Sequence, residues 1–151
     1  MDIFELIKKD HRQVESLFAE IESSKDAKKI AALFERLYKE LNLHSEVEEL
    51  TFYPSMREYE ETEELLEEAE EEHVEVKTML EEMKPFSPTS SEFKTRLASL
   101  KSAVQHHVQE EENEVFPQVQ QCMSKEELSA LATEFQQTKS KLQKDMSMIP
   151  H

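Results

Sequence analysis

Histidine and glutamate side chains interrupt otherwise apolar helical stripes at positions that suit metal binding. The six residues that do so are His11, His44, Glu48, His73, His107 and Glu111. Residues four positions apart lie on one face of an α-helix, so His44 and Glu48 present an imidazole and a carboxylate to the same point. A second His-x3-Glu pair, His107 and Glu111, repeats this arrangement. The pattern indicates a cage of metal ligands rather than a Ser-His or Cys-His nucleophile.

Taken singly, each of these residues has a simpler explanation. A lone inward histidine such as His11 is more often a hydrogen-bonded core residue than a metal ligand. A His-x3-Glu pair also forms an ordinary hydrogen bond along a helix face. An internal repeat favours the metal interpretation. The residues that recur at a constant offset of 63 positions are His44 and His107, Glu48 and Glu111, and Pro54 and Pro117. His11 and His73 are 62 positions apart, so the repeat predicts two similar helical hairpins around one centre.

The ligand types narrow the choice of metal. Burying carboxylates beside imidazoles without a counter-ion costs several kcal/mol per charged group, and a di- or trivalent cation offsets most of that penalty. Imidazoles and carboxylates without a thiolate suit iron, manganese or zinc better than copper(I) or calcium. The twofold repeat predicts two ions. Two irons joined by an oxo or hydroxo bridge leave a position for dioxygen, peroxide or nitric oxide, so the predicted cofactor is a pair of iron ions.

Long helices must position these ligands. The sequence has no Gly and five Pro, and apolar residues recur at steps of three and four. The apolar stripes of the predicted helices start at Ile3, Ile30, Leu66, Phe93 and Leu128. Because proline disfavours helix at the preceding residue, we expect the second helix to stop before Pro54 and the fourth to end around Pro117. Ser124 and Glu127 have the spacing of a capping box that opens the last helix.

These elements predict an all-α protein: a four-helix bundle with an additional C-terminal helix. The bundle is expected over about residues 2–120 and the extra helix over about 124–146, in a single domain that spans residues 1–151. A chain of this length is the size of one domain and can build one continuous core.

Charge and composition limit the partners. Acidic residues outnumber basic ones by 34 to 18, for a net charge of −16. Such a surface repels phosphate backbones and anionic lipids, so we expect no nucleic-acid partner and no membrane partner. Cys122 is the single cysteine, and the N-terminus lacks the apolar stretch of a secretory signal. A cytoplasmic protein is therefore expected, and its protein partner, if it has one, stays open.

The ordered pattern resembles a known family. It is His11, His44-x3-Glu48, His73 and His107-x3-Glu111, with an aromatic residue and Pro closing each half. This pattern is similar to that of the hemerythrin-like (HHE cation-binding) family, over about residues 2–120. The resemblance implies an up-down-up-down four-helix bundle with a non-haem di-iron centre. It places the single histidines on the first and third helices and the His-x3-Glu pairs on the second and fourth.

The sequence departs from the oxygen-carrying members of that family. Their third helix carries a His-x3-His pair, whereas here Lys77 stands in the second position. With four histidines instead of five, the sequence resembles the four-histidine branch of the family. That branch is linked to the handling of peroxide, nitric oxide or iron. Three roles are open for Lys77: to extend out of the bundle, to pair with a glutamate, or to donate a hydrogen bond to a ligand at the metal.

The resemblance and the residues together imply a di-iron protein that binds or senses a small oxidant, which would be dioxygen, peroxide or nitric oxide. One alternative is a catalase-like enzyme that decomposes peroxide. Another is an iron- or oxygen-responsive regulatory module whose last helix reports the metal state. His106 adjoins His107 but lies about 100° around the helix, so we expect it to be exposed or to support the ligands from behind.

Overall fold

The computed structural model describes residues 2–147, and this part of the chain is helical apart from short connections, with no β-strand. The long helices are α1 (Ile3–Ser23), α2 (Ala27–Leu50), α4 (Glu63–Met83), α5 (Ser91–Glu110) and α7 (Lys125–Ser147), and the short ones are α3 (Phe52–Met56) and α6 (Phe116–Cys122). Helices α1, α2, α4 and α5 form the up-down-up-down bundle, and α7 packs against α1 and α2. The predicted all-α bundle with an additional C-terminal helix is confirmed.

Local sequence signals explain where these helices begin. The Asp26 carboxylate accepts a hydrogen bond from the Lys28 amide at the start of α2. At the start of α7, Ser124 Oγ accepts from the Glu127 amide while the Glu127 carboxylate accepts from the Ser124 amide. The predicted capping box is therefore formed. Caps of this kind contribute about 1 kcal/mol each, because they satisfy amides that have no partner within the helix.

The two helix ends predicted from proline positions have different outcomes in the structure. Helix α2 ends at Leu50, before Pro54, as expected, and Pro54 then lies in the short helix α3. The expected end around Pro117 is wrong, because the chain continues through a π-helical turn at Glu111–Val115 into α6. Pro117 lies in the first turn of α6, where the missing amide donor removes no intrahelical hydrogen bond.

The core consists of two apolar clusters with a polar layer between them. Ile7 and Tyr53 belong to one cluster, and Val14 and Leu80 belong to the other. On α1 the intervening position is His11, which is buried. The bundle therefore encloses its polar residues at mid-height, where both neighbouring layers exclude water.

Helix α7 completes the first cluster. Leu131, Ala132 and Phe135 are buried there against the bundle. None of the helices within residues 2–147 is long and apolar enough to cross a membrane. The assignment of residues 1–151 to a single domain stays a prediction, and residues 1 and 148–151 lie outside the described part of the chain.

Candidate metal centre

All six predicted ligands converge inside the bundle and are buried. They form two groups, within each of which the ligand atoms lie within 4.8 Å of one another. The first ligand group is His11, His44 and Glu111, and the second ligand group is Glu48, His73 and His107. Each group therefore combines two imidazoles from one sequence half with the carboxylate of the other half, which the repeat alone did not specify.

Glu48 contacts both groups. Its Oε1 atom lies 2.8 Å from His44 Nε2 in the first group and 3.5 Å from His73 Nε2 in the second. Helix periodicity explains the first contact, since His44 and Glu48 are one turn apart on α2. The second contact is set by the packing of α4 on α2. The carboxylate thus lies between the two ligand groups.

Glu111 has the matching position on the opposite side. Its Oε1 atom lies 3.1 Å from His11 Nε2, and its Oε2 atom lies 3.3 Å from His107 Nε2. Glu111 opens the π-helical turn, and Glu112 beside it also reaches His11. π-Helical turns are rare and are frequent at functional sites, because they change the direction of side chains along a helix face.

Each of the four histidines is oriented by a carboxylate behind it. The Nδ1 atoms lie 2.7 Å from Glu112 for His11, 2.9 Å from Asp10 for His44, 3.3 Å from Glu49 for His73 and 2.7 Å from Glu72 for His107. An ionised carboxylate can only accept, so every Nδ1 atom must donate. Every Nε2 atom then points to the interior of the centre, which is the arrangement that holds histidine ligands on metals in other proteins.

Sequence reasoning missed these four carboxylates. Each one is the neighbour of a predicted ligand in the sequence, yet it supports a histidine of another helix. Asp10 precedes His11 on α1 and accepts from His44 on α2, and Glu49 follows Glu48 on α2 and accepts from His73 on α4. An acidic residue beside each ligand was the available signal. It was hidden among 34 acidic residues.

Basic side chains lie behind these carboxylates in turn. The pairs are Arg12 with Glu112 at 2.7 Å, Lys77 with Glu49 at 3.3 Å, His106 with Glu72 at 3.3 Å, and Lys139 with Asp10. Of the roles left open for Lys77, the structure has the pairing with a glutamate, at a half-exposed position. His106 is 63% exposed and supports Glu72, as expected.

Tyr53 is a further residue at the centre that sequence reasoning assigned only to a closing aromatic-Pro motif. It is fully buried, and its Oη atom lies 2.9 Å from His73 Nε2 and 3.4 Å from Glu111 Oε2. Burial raises the pKa of Tyr53 well above its ordinary value, and the nearby Glu48 and Glu111 carboxylates add to this effect. The hydroxyl thus stays protonated and can donate into the centre.

The charges and unpaired atoms of the centre fit a metal cation. Burial disfavours the charged form of His44, but the Glu48 and Asp10 carboxylates together outweigh it and hold the pKa of His44 well above its ordinary value. The pKa of His107 is about 10 for the same reasons, with Glu111 as its partner. Protons therefore occupy positions that a cation would take, and metal binding must displace them.

Glu48 supplies independent support for that fit. It is fully buried, and neither of its carboxylate oxygens has a hydrogen bond among the described residues. His44 Nε2 is also without one, because its 2.8 Å contact with Glu48 lacks hydrogen-bond geometry. Buried polar atoms are almost always partnered, so atoms left over at one point indicate a missing ligand such as an ion.

A small cavity adjoins the four histidines. It has a volume of about 20 Å³. The other residues that line it are Val14, Leu41, Ser45, Val76, Val104 and Val108. A cavity needs roughly 10–15 Å³ to hold one water molecule. The space beside the centre is therefore large enough for one water-sized molecule.

The geometry defines a class: helical-bundle proteins with an internal carboxylate–histidine metal centre. Comparisons with known proteins identify the family. The hemerythrin HHE cation-binding domain matches residues 2–119. The chain therefore belongs to the hemerythrin HHE cation-binding domain family, as the sequence pattern predicted. It is a metal-binding domain, whereas the assignment of the six side chains as the ligands stays a prediction.

Two relatives and one solved structure are similar to this chain. A DNA nickase of Nostoc sp. is 38% identical over 146 residues, and the match covers 95% of this chain but 40% of that protein. An uncharacterized hemerythrin-like protein of Schizosaccharomyces pombe is 33% identical over 139 residues, which is 91% of this chain and 68% of the relative.

The solved structure is a crystal structure of a hemerythrin HHE cation-binding domain-containing protein from Mycobacterium kansasii. It superposes with a TM-score of 0.81 over 98% of this chain and 93% of that one, at 21% sequence identity. At this level of identity the likeness establishes the fold.

Proposed function

We propose that the protein holds two iron ions in the six-residue centre and binds a small oxidant there: dioxygen, peroxide or nitric oxide. The observation that carries the proposal is the sharing of both carboxylates between the two ligand groups, beside a cavity of about 20 Å³. A pair of irons at this position supplies redox chemistry toward such molecules.

The shared carboxylates support the proposed number of ions. Glu48 contacts histidines of both ligand groups, and so does Glu111. A single ion would leave one pair of imidazoles and the outer oxygens of both carboxylates without a partner, in a site that excludes water. Two ions, one for each ligand group, satisfy every inward nitrogen and oxygen.

The choice of iron rests on the ligand types. The centre offers imidazole nitrogens and carboxylate oxygens with no thiolate, which favours iron, manganese or zinc. The half-exposed Lys77, paired with Glu49, occupies the position at which the oxygen-carrying members of the family have a fifth histidine. The centre therefore has fewer neutral ligands, and this leaves coordination positions for a small molecule.

The surrounding residues select the ligand and control its protons. Val76, Val104 and Val108 form an apolar wall that keeps bulk water from the cavity. Tyr53 is the hydroxyl donor at the opposite side, next to His73 and Glu111. Turnover of peroxide and an iron- or oxygen-responsive regulatory role stay predictions.

Iron loading of the metal-free protein tests the proposal directly. We expect uptake of about two ferrous ions per chain under anaerobic conditions, followed by a visible absorption change when dioxygen, peroxide or nitric oxide is added. Iron is measured by elemental analysis and the oxidant reaction by stopped-flow absorbance. Uptake of one ion or none, or a spectrum indifferent to all three molecules, would contradict the proposal.

We further propose a cytoplasmic location, no membrane partner and no nucleic-acid partner. The DNA-directed activity named for the Nostoc relative belongs to a protein of which this chain covers 40%. A net charge of −16 repels a phosphate backbone. We therefore expect no retardation of duplex DNA and no nicking of supercoiled plasmid at physiological salt, with or without loaded iron. Nicking that depends on the protein would contradict this expectation.

A further inference from the structure

The four histidines differ in what lies behind their supporting carboxylates. Arg12 on α1, Lys77 on α4 and His106 on α5 belong to the bundle that carries the ligands. The cation behind Asp10 is Lys139, which lies on the additional helix α7. Among the described residues, this chain of contacts links a ligand, through its supporting carboxylate, to the additional helix α7.

We propose that Lys139 is a positioning residue of the metal centre, which acts through Asp10 on His44, so that metal binding and the docking of α7 stabilise each other. This inference rests on the proposed role of His44 as a metal ligand. It adds a regulatory connection: the state of the centre is transmitted to the surface of α7.

The contacts form a continuous path. His44 Nδ1 donates to Asp10 Oδ2 at 2.9 Å, and Lys139 Nζ donates to Asp10 Oδ1. Asp10 is 4% exposed, so water cannot replace either partner. A buried carboxylate that loses its cation is strongly disfavoured and changes its interaction with the remaining partner. The orientation of His44 therefore depends on whether α7 supplies Lys139.

The position of Lys139 on α7 makes this contact sensitive to docking. The buried apolar residues Leu131, Ala132 and Phe135 hold the first half of the helix. Lys139 follows Phe135 by one turn on the same face, and Leu142 beyond it is partly buried. The second half of α7 thus makes less apolar contact with the bundle. The ion pair between Lys139 and Asp10 therefore contributes a larger part of the interaction that docks this half of the helix.

Metal binding would strengthen the path from the other end. As a metal ligand through Nε2, His44 would hold its ring in one plane and keep Nδ1 opposite Asp10. Hydrogen bonds in such a chain polarise one another. Because linkage is reciprocal, the factor by which metal binding favours docking of α7 equals the factor by which docking favours metal binding.

Hydrogen exchange on the full chain, metal-free and iron-loaded, tests the coupling. We expect iron to slow exchange of the amides around Lys139 by about fivefold or more, the range of ordinary coupling between sites. The Lys139→Met variant should take up iron but lose this difference. Lys139→Arg should retain it, as should Lys141→Met, which changes an exposed lysine on the same helix. Reciprocity also predicts that Lys139→Met binds iron more weakly by the same factor, as measured in an equilibrium competition with a chelator.

The outcomes separate the possibilities. If Lys139 only docks α7, Lys139→Met will speed exchange equally with and without iron and leave the equilibrium affinity for iron unchanged, which overturns the proposal. Iron uptake in the natural sequence with no change in α7 exchange also overturns it, while the proposed function stands. Failure to take up iron overturns the proposed function itself, and the iron content of each sample identifies that case.

Discussion

Replacing Glu48 with glutamine should reduce bound iron from about two ions per chain to well under one. Glutamine keeps the shape of the side chain and removes its charge. Because the Glu48 carboxylate contacts His44 in one ligand group and His73 in the other, both ions lose the same negative ligand. Removing the charge that compensates a buried cation is worth about 3–5 kcal/mol, or a factor of several hundred or more in affinity.

A histidine variant supplies the comparison. His11→Ala removes a ligand from the first group alone, so about one ion should remain in the second group. Glu46→Gln, on the exposed face of the same helix α2, should bind iron as the natural sequence does. Iron is measured by elemental analysis after gel filtration. Equal losses in Glu48→Gln and His11→Ala would contradict a centre in which the carboxylate is shared.

The sequence was informative about the ligands because the fold repeats. For a single histidine such as His11, a position in an apolar stripe does not distinguish a metal ligand from a hydrogen-bonded core residue. The constant offset between the two His-x3-Glu pairs favours the interpretation as metal ligands, since two unrelated helices would not preserve it. Helix periodicity then places all of these side chains at one height in the bundle, where the structure has them.

The residues behind the ligands could not be predicted in the same way. Asp10 and Glu49 support histidines of neighbouring helices, at angles decided by how the helices pack. Periodicity specifies the face of one helix and leaves its rotation against another undetermined. Tyr53 was missed for a related reason. Its hydroxyl reaches the centre because α2 breaks at Thr51 and the short helix α3 turns the ring inward.

The expected end of the fourth helix at Pro117 shows a different limit. Proline disrupts an α-helix when regular α-helical hydrogen bonding continues up to the proline. The π-helical turn at Glu111–Val115 changes the hydrogen-bonding pattern directly before Pro117. The same turn brings Glu111 and Glu112 to His11. The π-helical turn is thus part of the centre, and it cannot be predicted from apolar residues that recur at steps of three and four.

Enlarging the wall of the small cavity should block the oxidant while leaving the metal in place. Val104 is 6% exposed and lines the cavity of about 20 Å³ beside the histidines. Val104→Ile adds one methylene group to this space and leaves the six predicted ligands themselves unsubstituted. We expect nitric oxide or dioxygen to react with the iron-loaded variant at least about tenfold more slowly, since one methylene in a closed pocket is worth about 10- to 200-fold.

The matched control is Val74→Ile, the same change at a position that is 64% exposed on α4. It should react at the natural rate. Overpacking at Val104 costs about 1–3 kcal/mol of stability, so thermal unfolding and iron content are measured beside the stopped-flow rates. A folded Val104→Ile variant with full iron and an unchanged rate would mean that the oxidant reaches the centre by another path. A slow reaction with full iron assigns the cavity as the binding space, because the metal, its ligands and their supporting carboxylates are then all unaltered.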